Sequence, residues 1–279
     1  MSTVRHTEPK RLLNPASGFL TGYSHTLNPY AGCQFACSYC YVRRMPIALF
    51  REERWGDWVD VKTGAAGRLK KEIAAAKRKG PVTIFMSSST DPYQPIEYKE
   101  RVTRTLLEAM NETPADFLFV QTRSPLVTRD IDILTKLNAV SRVRVSMTVE
   151  TALDEVRKAF SPYAPPIAAR MKALKQLAAA GLPVQAAVSP VLPGADGLAE
   201  KLAGVVDRVC IDDFFMGDGS HGKRTEQLNI RSIYEATGYA DRYDRGAYRQ
   251  VAAAFADHFS PEQIRISQQG FLPDSIANR

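Results

Sequence analysis

Three cysteines, Cys33, Cys37 and Cys40, stand within eight residues, separated by three and then two residues, in a loop opened by Asn28-Pro29-Tyr30-Ala31-Gly32. The one other cysteine is Cys210, so four thiols make a poor disulfide framework for 279 residues. Clustered thiols of this kind point to metal, and two metals compete. A structural zinc site wants four ligands, usually from paired knuckles, and a histidine such as His25 is a candidate fourth. An iron–sulfur cluster normally takes four cysteines, so three thiolates leave one iron without a protein thiolate, where a substrate or cofactor can bind.

The elements that position such a loop are legible from hydrophobic patterning. Short β-branched or apolar runs occur at 82–86, 117–120, 143–147, 184–188 and 206–211, and 21–28 is the candidate for a first strand before the cysteines. Helical stretches fall between them, roughly 67–79, 97–111, 129–138, 166–180 and 196–203, several ending near Gly or Asn. Six β/α units imply an α/β chain with a parallel sheet and right-handed crossovers, closed or partly closed into a barrel. Reactive groups in such barrels sit on loops after the C-terminal strand ends. The expected organisation is a lead-in over 1–19, the barrel over 20–217 and an extension over 218–279, where the alternation stops, that covers the barrel's open edge or mouth.

Motifs follow the later strands where this arrangement wants them. After the second comes Ser87-Ser88-Ser89-Thr90-Asp91-Pro92-Tyr93, and after the third Gln121-Thr122-Arg123-Ser124. In the fourth, Ser146, Thr148 and Glu150 alternate onto one face, which in a barrel is the interior. A carboxylate there is costly unless donors meet it. After the fifth, Ser189-Pro190-Val191-Leu192-Pro193-Gly194 forms a rigid apolar edge. Each segment also has a plainer reading: Asp91 or Ser89 as a helix cap, Arg123 in a structural ion pair, the prolines closing a loop, Cys210 as a small core residue and Tyr41 and Tyr93 as apolar packing.

The pattern CxxxCx-aromatic-C, with Tyr39 as the aromatic, resembles the signature of the radical S-adenosylmethionine (radical SAM) superfamily. The runs NPYxGCxxxCxYCYVR at 28–43, SSTDPYQPIE at 88–97, TRSPLVxRDIDIL at 122–134 and VETAL at 149–153 are similar to its spore photoproduct lyase-like branch over about residues 20–215. That resemblance implies a partial (β/α)6 TIM-type barrel in which Cys33, Cys37 and Cys40 hold a [4Fe–4S] cluster. The open iron would chelate the amino and carboxylate groups of S-adenosylmethionine, whose reductive cleavage yields a 5′-deoxyadenosyl radical that abstracts hydrogen from a substrate. It also implies cofactor-binding roles for Tyr39, for Ser88, Ser89, Thr90 and Asp91 toward the methionine ammonium, for Arg123 toward the carboxylate, and for Ser146, Thr148, Glu150 and Ser189 toward the rest of the molecule. Spore photoproduct lyase returns hydrogen from a cysteine just after the second strand, where this chain has Ser88, a much poorer hydrogen-atom donor. Cys210 is the candidate substitute hydrogen donor, and Tyr41 and Tyr93 are the candidate radical relays.

The formal charge of +7 and pI near 9.2 suit a polyanionic partner, although the basic residues are spread as solvated helix faces would be. Nucleic acid is the leading substrate class by resemblance, with a peptide or small metabolite as the second enzyme reading and a zinc-binding nucleic-acid module as the reading without catalysis. An electron donor such as flavodoxin or ferredoxin is the implied partner. The N-terminus lacks an apolar signal region and no stretch reaches the roughly 18 apolar residues of a membrane span, so the expectation is a cytoplasmic protein with no membrane partner.

Overall fold

The computed structural model describes residues 2–274; Met1 of the lead-in and 275–279 of the extension lie outside that range. In chain order the strands are β1 (Thr3–Thr7), β2 (Leu13–Pro15), β3 (His25–Leu27), β4 (Tyr30–Ala31), β5 (Trp58–Lys62), β6 (Thr83–Met86), β7 (Phe117–Thr122), β8 (Arg142–Thr148), β9 (Val184–Val188), β10 (Arg208–Ile211) and β11 (Ile264–Ile266). Eight of them form one sheet in the order β11-β10-β9-β8-β7-β6-β3-β2. Every neighbouring pair from β3 to β11 is parallel, and β2 runs antiparallel at the edge. The six expected barrel strands are therefore present as β3 and β6 to β10, in a mainly parallel, unclosed barrel.

Parity along the strands sorts their side chains. Ile84, Met86, Leu118, Val120, Val143, Val145, Met147, Val184, Ala186 and Val209 share one core with helix residues Leu69, Ile73, Leu106, Met110, Leu134, Leu137, Leu174 and Leu177. Residues of the other parity, Phe85, Phe117, Phe119, Ala187 and Cys210, gather in a separate cluster with Tyr23 and Phe271 that fills the inner face. The register aligns Gln121, Ser146, Gln185 and Arg208 in one inner row, and Thr148, Ala187 and Cys210 in the next. Each buried aliphatic or aromatic side chain contributes about 1.5–3 kcal/mol by leaving water, so the alternation fixes which residues reach the mouth.

Two elements depart from the sequence pattern. The expected helix over 97–111 is broken into Glu97–Glu100 and Val102–Glu112, with Arg101 in the left-handed region at φ 52°. The cause is Glu97, fully buried, whose carboxylate turns back to accept from the amides of Thr103 (2.9 Å) and Arg104 (3.3 Å), satisfying donors that open the second helix. The second departure is a small sheet, β1-β5-β4, that forms beside the cysteine loop. In the C-terminal part, Val251 and Phe255 of the helix Ala247–Ala256 join the sheet–helix core and β11 pairs with β10, so this segment adds a seventh parallel strand at the open edge.

Candidate active site

The cysteine loop is anchored from three sides. Ser38 bonds through both its amide (3.0 Å) and its hydroxyl (2.8 Å) to the carbonyl of Phe160. Arg43 donates to the carbonyls of Cys37 (2.9 Å) and Ala36 (2.5 Å). Gly32 has φ +83°, and a side chain there would collide with the Trp58 carbonyl and ring, so only glycine lets the loop lie against β5. Cys33 and Cys37 are buried in one aromatic cluster with Phe35, Tyr39, Trp55, Trp58, Phe160 and Phe214, and Cys40 packs at its margin. Burial pushes the Cys33 thiol well up, and the nearby charges of Asp91, Cys37 and Cys40 push it further; burial, with Cys37, raises Cys40 to about 11.

Cys33 thus feels Asp91, Cys37 and Cys40, and Cys40 feels Cys37, so a cation bound beside them would reverse the local balance and favour thiolates. Among the described residues, no three His, Cys, Asp or Glu side chains converge closely enough to hold a single metal ion. Three thiols from one short loop are a donor set that suits an iron–sulfur cluster with one iron left open.

The segment after β6 is stitched to this loop. Asn28 accepts the amides of Ser88 (2.9 Å) and Ser89 (3.1 Å) and donates to the Ser88 hydroxyl (3.3 Å). The Thr90 hydroxyl bonds to the Gly32 carbonyl at 2.5 Å, Gln94 reaches the same carbonyl at 3.2 Å, and its carbonyl oxygen accepts the Gln34 amide at 2.9 Å. The Tyr41 hydroxyl donates to the Ser88 carbonyl at 2.6 Å. Asp91 accepts from the Thr122 hydroxyl (2.7 Å) and the amides of Arg123 (2.8 Å) and Tyr93 (2.9 Å), so its carboxylate ties the β6 and β7 ends together. Burial nevertheless outweighs those donors and raises its pKa.

Glu150, fully buried just beyond β8, is the hub of the opposite wall. One carboxylate oxygen accepts from Arg170 at 2.5 Å, and the other from the Tyr39 hydroxyl (3.0 Å) and Arg123 (3.2 Å). Arg123 also donates to Tyr39 at 2.8 Å, and Ser161 donates there at 3.1 Å. Burial alone would raise the Glu150 carboxyl, but Arg170 and then Arg123 outweigh it and hold it below its ordinary value. Burial works against the Arg123 charge too, yet Cys37, Tyr39 and Glu150 keep that guanidinium firmly protonated.

The structure therefore brings Tyr39, Ser88, Ser89, Thr90, Asp91, Arg123 and Glu150 to the cysteine loop. Thr148 accepts from Gln121 at 2.8 Å and Ser146 from Gln185 at 3.1 Å, so both are engaged inside the barrel beneath the mouth. Ser189 stands at the end of β9 with its hydroxyl 3.5 Å from Asp212. Cys210 and Tyr93 are not brought there. Cys210 is packed with the inner aromatic cluster against Ser267 and Gly270, and Tyr93 lies in the sheet–helix core under Arg129, beside Glu97 and Asp130.

Residues not singled out from sequence are Asn28, Ser161, Arg170 and Asp212. Arg170 sits in the helix Ile167–Ala179 with no motif around it, and only its place in a predicted inward turn of that helix could have marked it. Asp212 is 2% exposed at the end of β10, and burial lifts its carboxyl to about 7.

A family model described as the radical SAM superfamily matches residues 27–200. An uncharacterized protein of Methanocaldococcus jannaschii is 33% identical over 184 residues, 66% of each chain. One of Acidianus two-tailed virus is 33% identical over 173 residues, 60% of this chain and 56% of that one. The matches thus span less than two thirds of these relatives' lengths. Among solved structures, spore photoproduct lyase complexed with dinucleoside spore photoproduct superposes with a TM-score of 0.62 at 15% identity, covering 95% of this chain and 82% of that one. Streptococcus suis SuiB bound to S-adenosylmethionine gives 0.54 at 16% identity, over 89% and 51%. These likenesses are of fold. With a family match over most of the barrel, and with the three-cysteine loop at its mouth, the chain belongs to the radical SAM superfamily.

Proposed function

We propose that Cys33, Cys37 and Cys40 hold a [4Fe–4S] cluster whose fourth iron takes S-adenosylmethionine. When bound, this pair supplies the one-electron cleavage that yields a 5′-deoxyadenosyl radical able to abstract hydrogen. The observation that carries the reading is that three thiols of one short loop lie in or against one buried aromatic cluster, with Tyr39 of that loop bonded to Arg123 and the Arg123 amide bonded to Asp91.

Around it, the chain's own residues bind and exclude water. Ser88, Ser89, Thr90 and Asp91 form the wall toward the methionine ammonium, and Arg123 offers its planar fork to the carboxylate. Glu150, with both oxygens already engaged, fixes Arg123 and Tyr39 in place; Ser189 closes the far side. Phe160, Phe214 and Tyr234 keep the surroundings of the thiols apolar, which protects a reactive intermediate from solvent. The proposed organisation remains a lead-in over 1–19, a barrel over 20–217 and an extension over 218–279.

Nucleic acid is the proposed substrate class, supported by the +7 charge and by the fold shared with a lyase whose structure carries a dinucleoside. Flavodoxin or ferredoxin is the proposed electron source. The test is anaerobic reconstitution followed by iron and sulfide analysis, then reduction in the presence of S-adenosylmethionine and chromatography for 5′-deoxyadenosine. Bound iron and sulfide near four each, with that product, is the expected result; a protein that takes up zinc alone and yields no 5′-deoxyadenosine refutes it.

A further inference from the structure

Glu150 meets two arginines that differ in what else they can reach. Arg170 is fully buried: its Nη1 donates to one Glu150 oxygen at 2.5 Å and to the Thr148 carbonyl at 2.9 Å, and its Nε to the Pro165 carbonyl at 3.0 Å. Arg123 donates to the other Glu150 oxygen at 3.2 Å and keeps 14% of its side chain exposed. Its bonds to Glu150 and Tyr39 both run through Nη1, which leaves the Nε–Nη2 edge of the fork without a hydrogen-bond partner among the described residues. Asp91 takes the Arg123 backbone amide at 2.8 Å and not its guanidinium. Arg157, whose charge also feels Glu150, is occupied by Asp154 at 2.7 Å.

One carboxylate between two guanidiniums leaves one positive charge over. The short, fully buried contact with Arg170 neutralises Glu150 from behind, so the surplus charge is that of Arg123, on the side of the cysteine loop. We propose that Arg170 is a positioning residue for S-adenosylmethionine, one that keeps Glu150 neutralised so that the free edge of Arg123 can take the methionine carboxylate. This rests on the role assigned to Arg123 toward that carboxylate. Without Arg170, Glu150 draws Arg123 into a pair of its own. That pair is neutral and its fork is turned toward the protein, so a second carboxylate gains no net attraction. An arginine that merely held the fold together would weaken every ligand alike, whereas this arrangement weakens only a ligand that carries the carboxylate.

The test is anaerobic equilibrium dialysis of the reconstituted, unreduced protein against S-adenosylmethionine and against its decarboxylated analogue, with binding normalised to cluster iron. The ratio of the two dissociation constants isolates what the carboxylate contributes, and any share due to the cluster is common to wild type and variants. Arg170→Leu, and Arg170→Gln as a milder loss of the same charge, are expected to lower the wild-type preference for S-adenosylmethionine about tenfold while leaving the analogue's own constant within about twofold. Glu150→Gln combined with Arg170→Leu should bring the preference back to within about threefold of wild type, because the amide no longer claims the Arg123 charge. An unchanged preference in both single variants overturns the proposal, as does a loss that falls equally on the analogue or a double variant that stays as low as the single. If the wild type binds the two ligands equally, the role assigned to Arg123 fails and this inference with it; if wild type and variants discriminate alike, that role stands and only the part given to Arg170 falls.

Discussion

Replacing Arg170 by leucine tests the charge arrangement behind the cysteine loop. Arg170 and Glu150 are both fully excluded from solvent and meet at 2.5 Å, with Arg170 donating further to the carbonyls of Thr148 (2.9 Å) and Pro165 (3.0 Å). Removing one partner of a buried pair costs about 3–5 kcal/mol, chiefly because the other charge is left uncompensated. Here Arg123, at 3.2 Å and on the other oxygen, compensates only part of it. For a chain of this size that corresponds to a loss of roughly 6–20 °C in Tm. The pH dependence gives a second reading. In the wild type the Glu150 pKa is depressed, so its contribution to stability is present above the unfolded value and is lost as pH falls through the folded one. In Arg170→Leu burial dominates instead, the carboxyl is raised, and its cost grows as pH rises. The gap between the two proteins should be largest near pH 7.5 and shrink toward pH 5, measured by urea unfolding under anaerobic conditions. The double variant Glu150→Gln with Arg170→Leu should be less destabilised than the sum of its singles. A cost below about 1 kcal/mol, or a gap that does not change with pH, refutes the reasoning.

Three further outcomes are expected. Cys37→Ala should load little iron and give no 5′-deoxyadenosine, and full product in that variant would defeat the ligand assignment. Gly32→Ala should destabilise the loop by several kcal/mol, since φ +83° and the Trp58 carbonyl both exclude a β-carbon, with a parallel drop in iron content by colorimetric assay. Asp212→Asn should raise Tm more at pH 8.5 than at pH 5, because a carboxyl lifted by burial to about 7 is costly only once pH passes its unfolded value and rises through its folded one. Equal gains at both pH values would show that Asp212 is solvated or paired.

The barrel was legible because its strands and crossover helices are local patterns. Runs such as Val184–Val188 and the apolar spacing of Ile167–Ala179 mark themselves within a dozen residues. β1 and β5 could not be read this way. Thr3–Thr7 is exposed along its whole length, so it has no buried face to imprint on the sequence, and its partner lies more than fifty residues on, at Trp58–Lys62. The break at Arg101 escaped for a related reason. Arg101 is an ordinary helix former, and the left-handed turn is imposed from outside it, by a Glu97 carboxylate that also serves Arg129 and Tyr30.

The site divides along the same line. Residue type and spacing mark the three thiols, and period-two alternation places Ser146, Thr148 and Glu150 on one face, because both signals lie within a few residues of each other. The inner register then assigns them different neighbours: Gln185 for Ser146, Gln121 for Thr148, and Arg170 with Arg123 for Glu150. A buried glutamate could be recognised as requiring donors. Which donors it found depended on a helix twenty residues further along, whose sequence says only that one face turns inward. Arg170 reads there as a solvated charge, until the neighbouring carboxylate makes its full burial affordable.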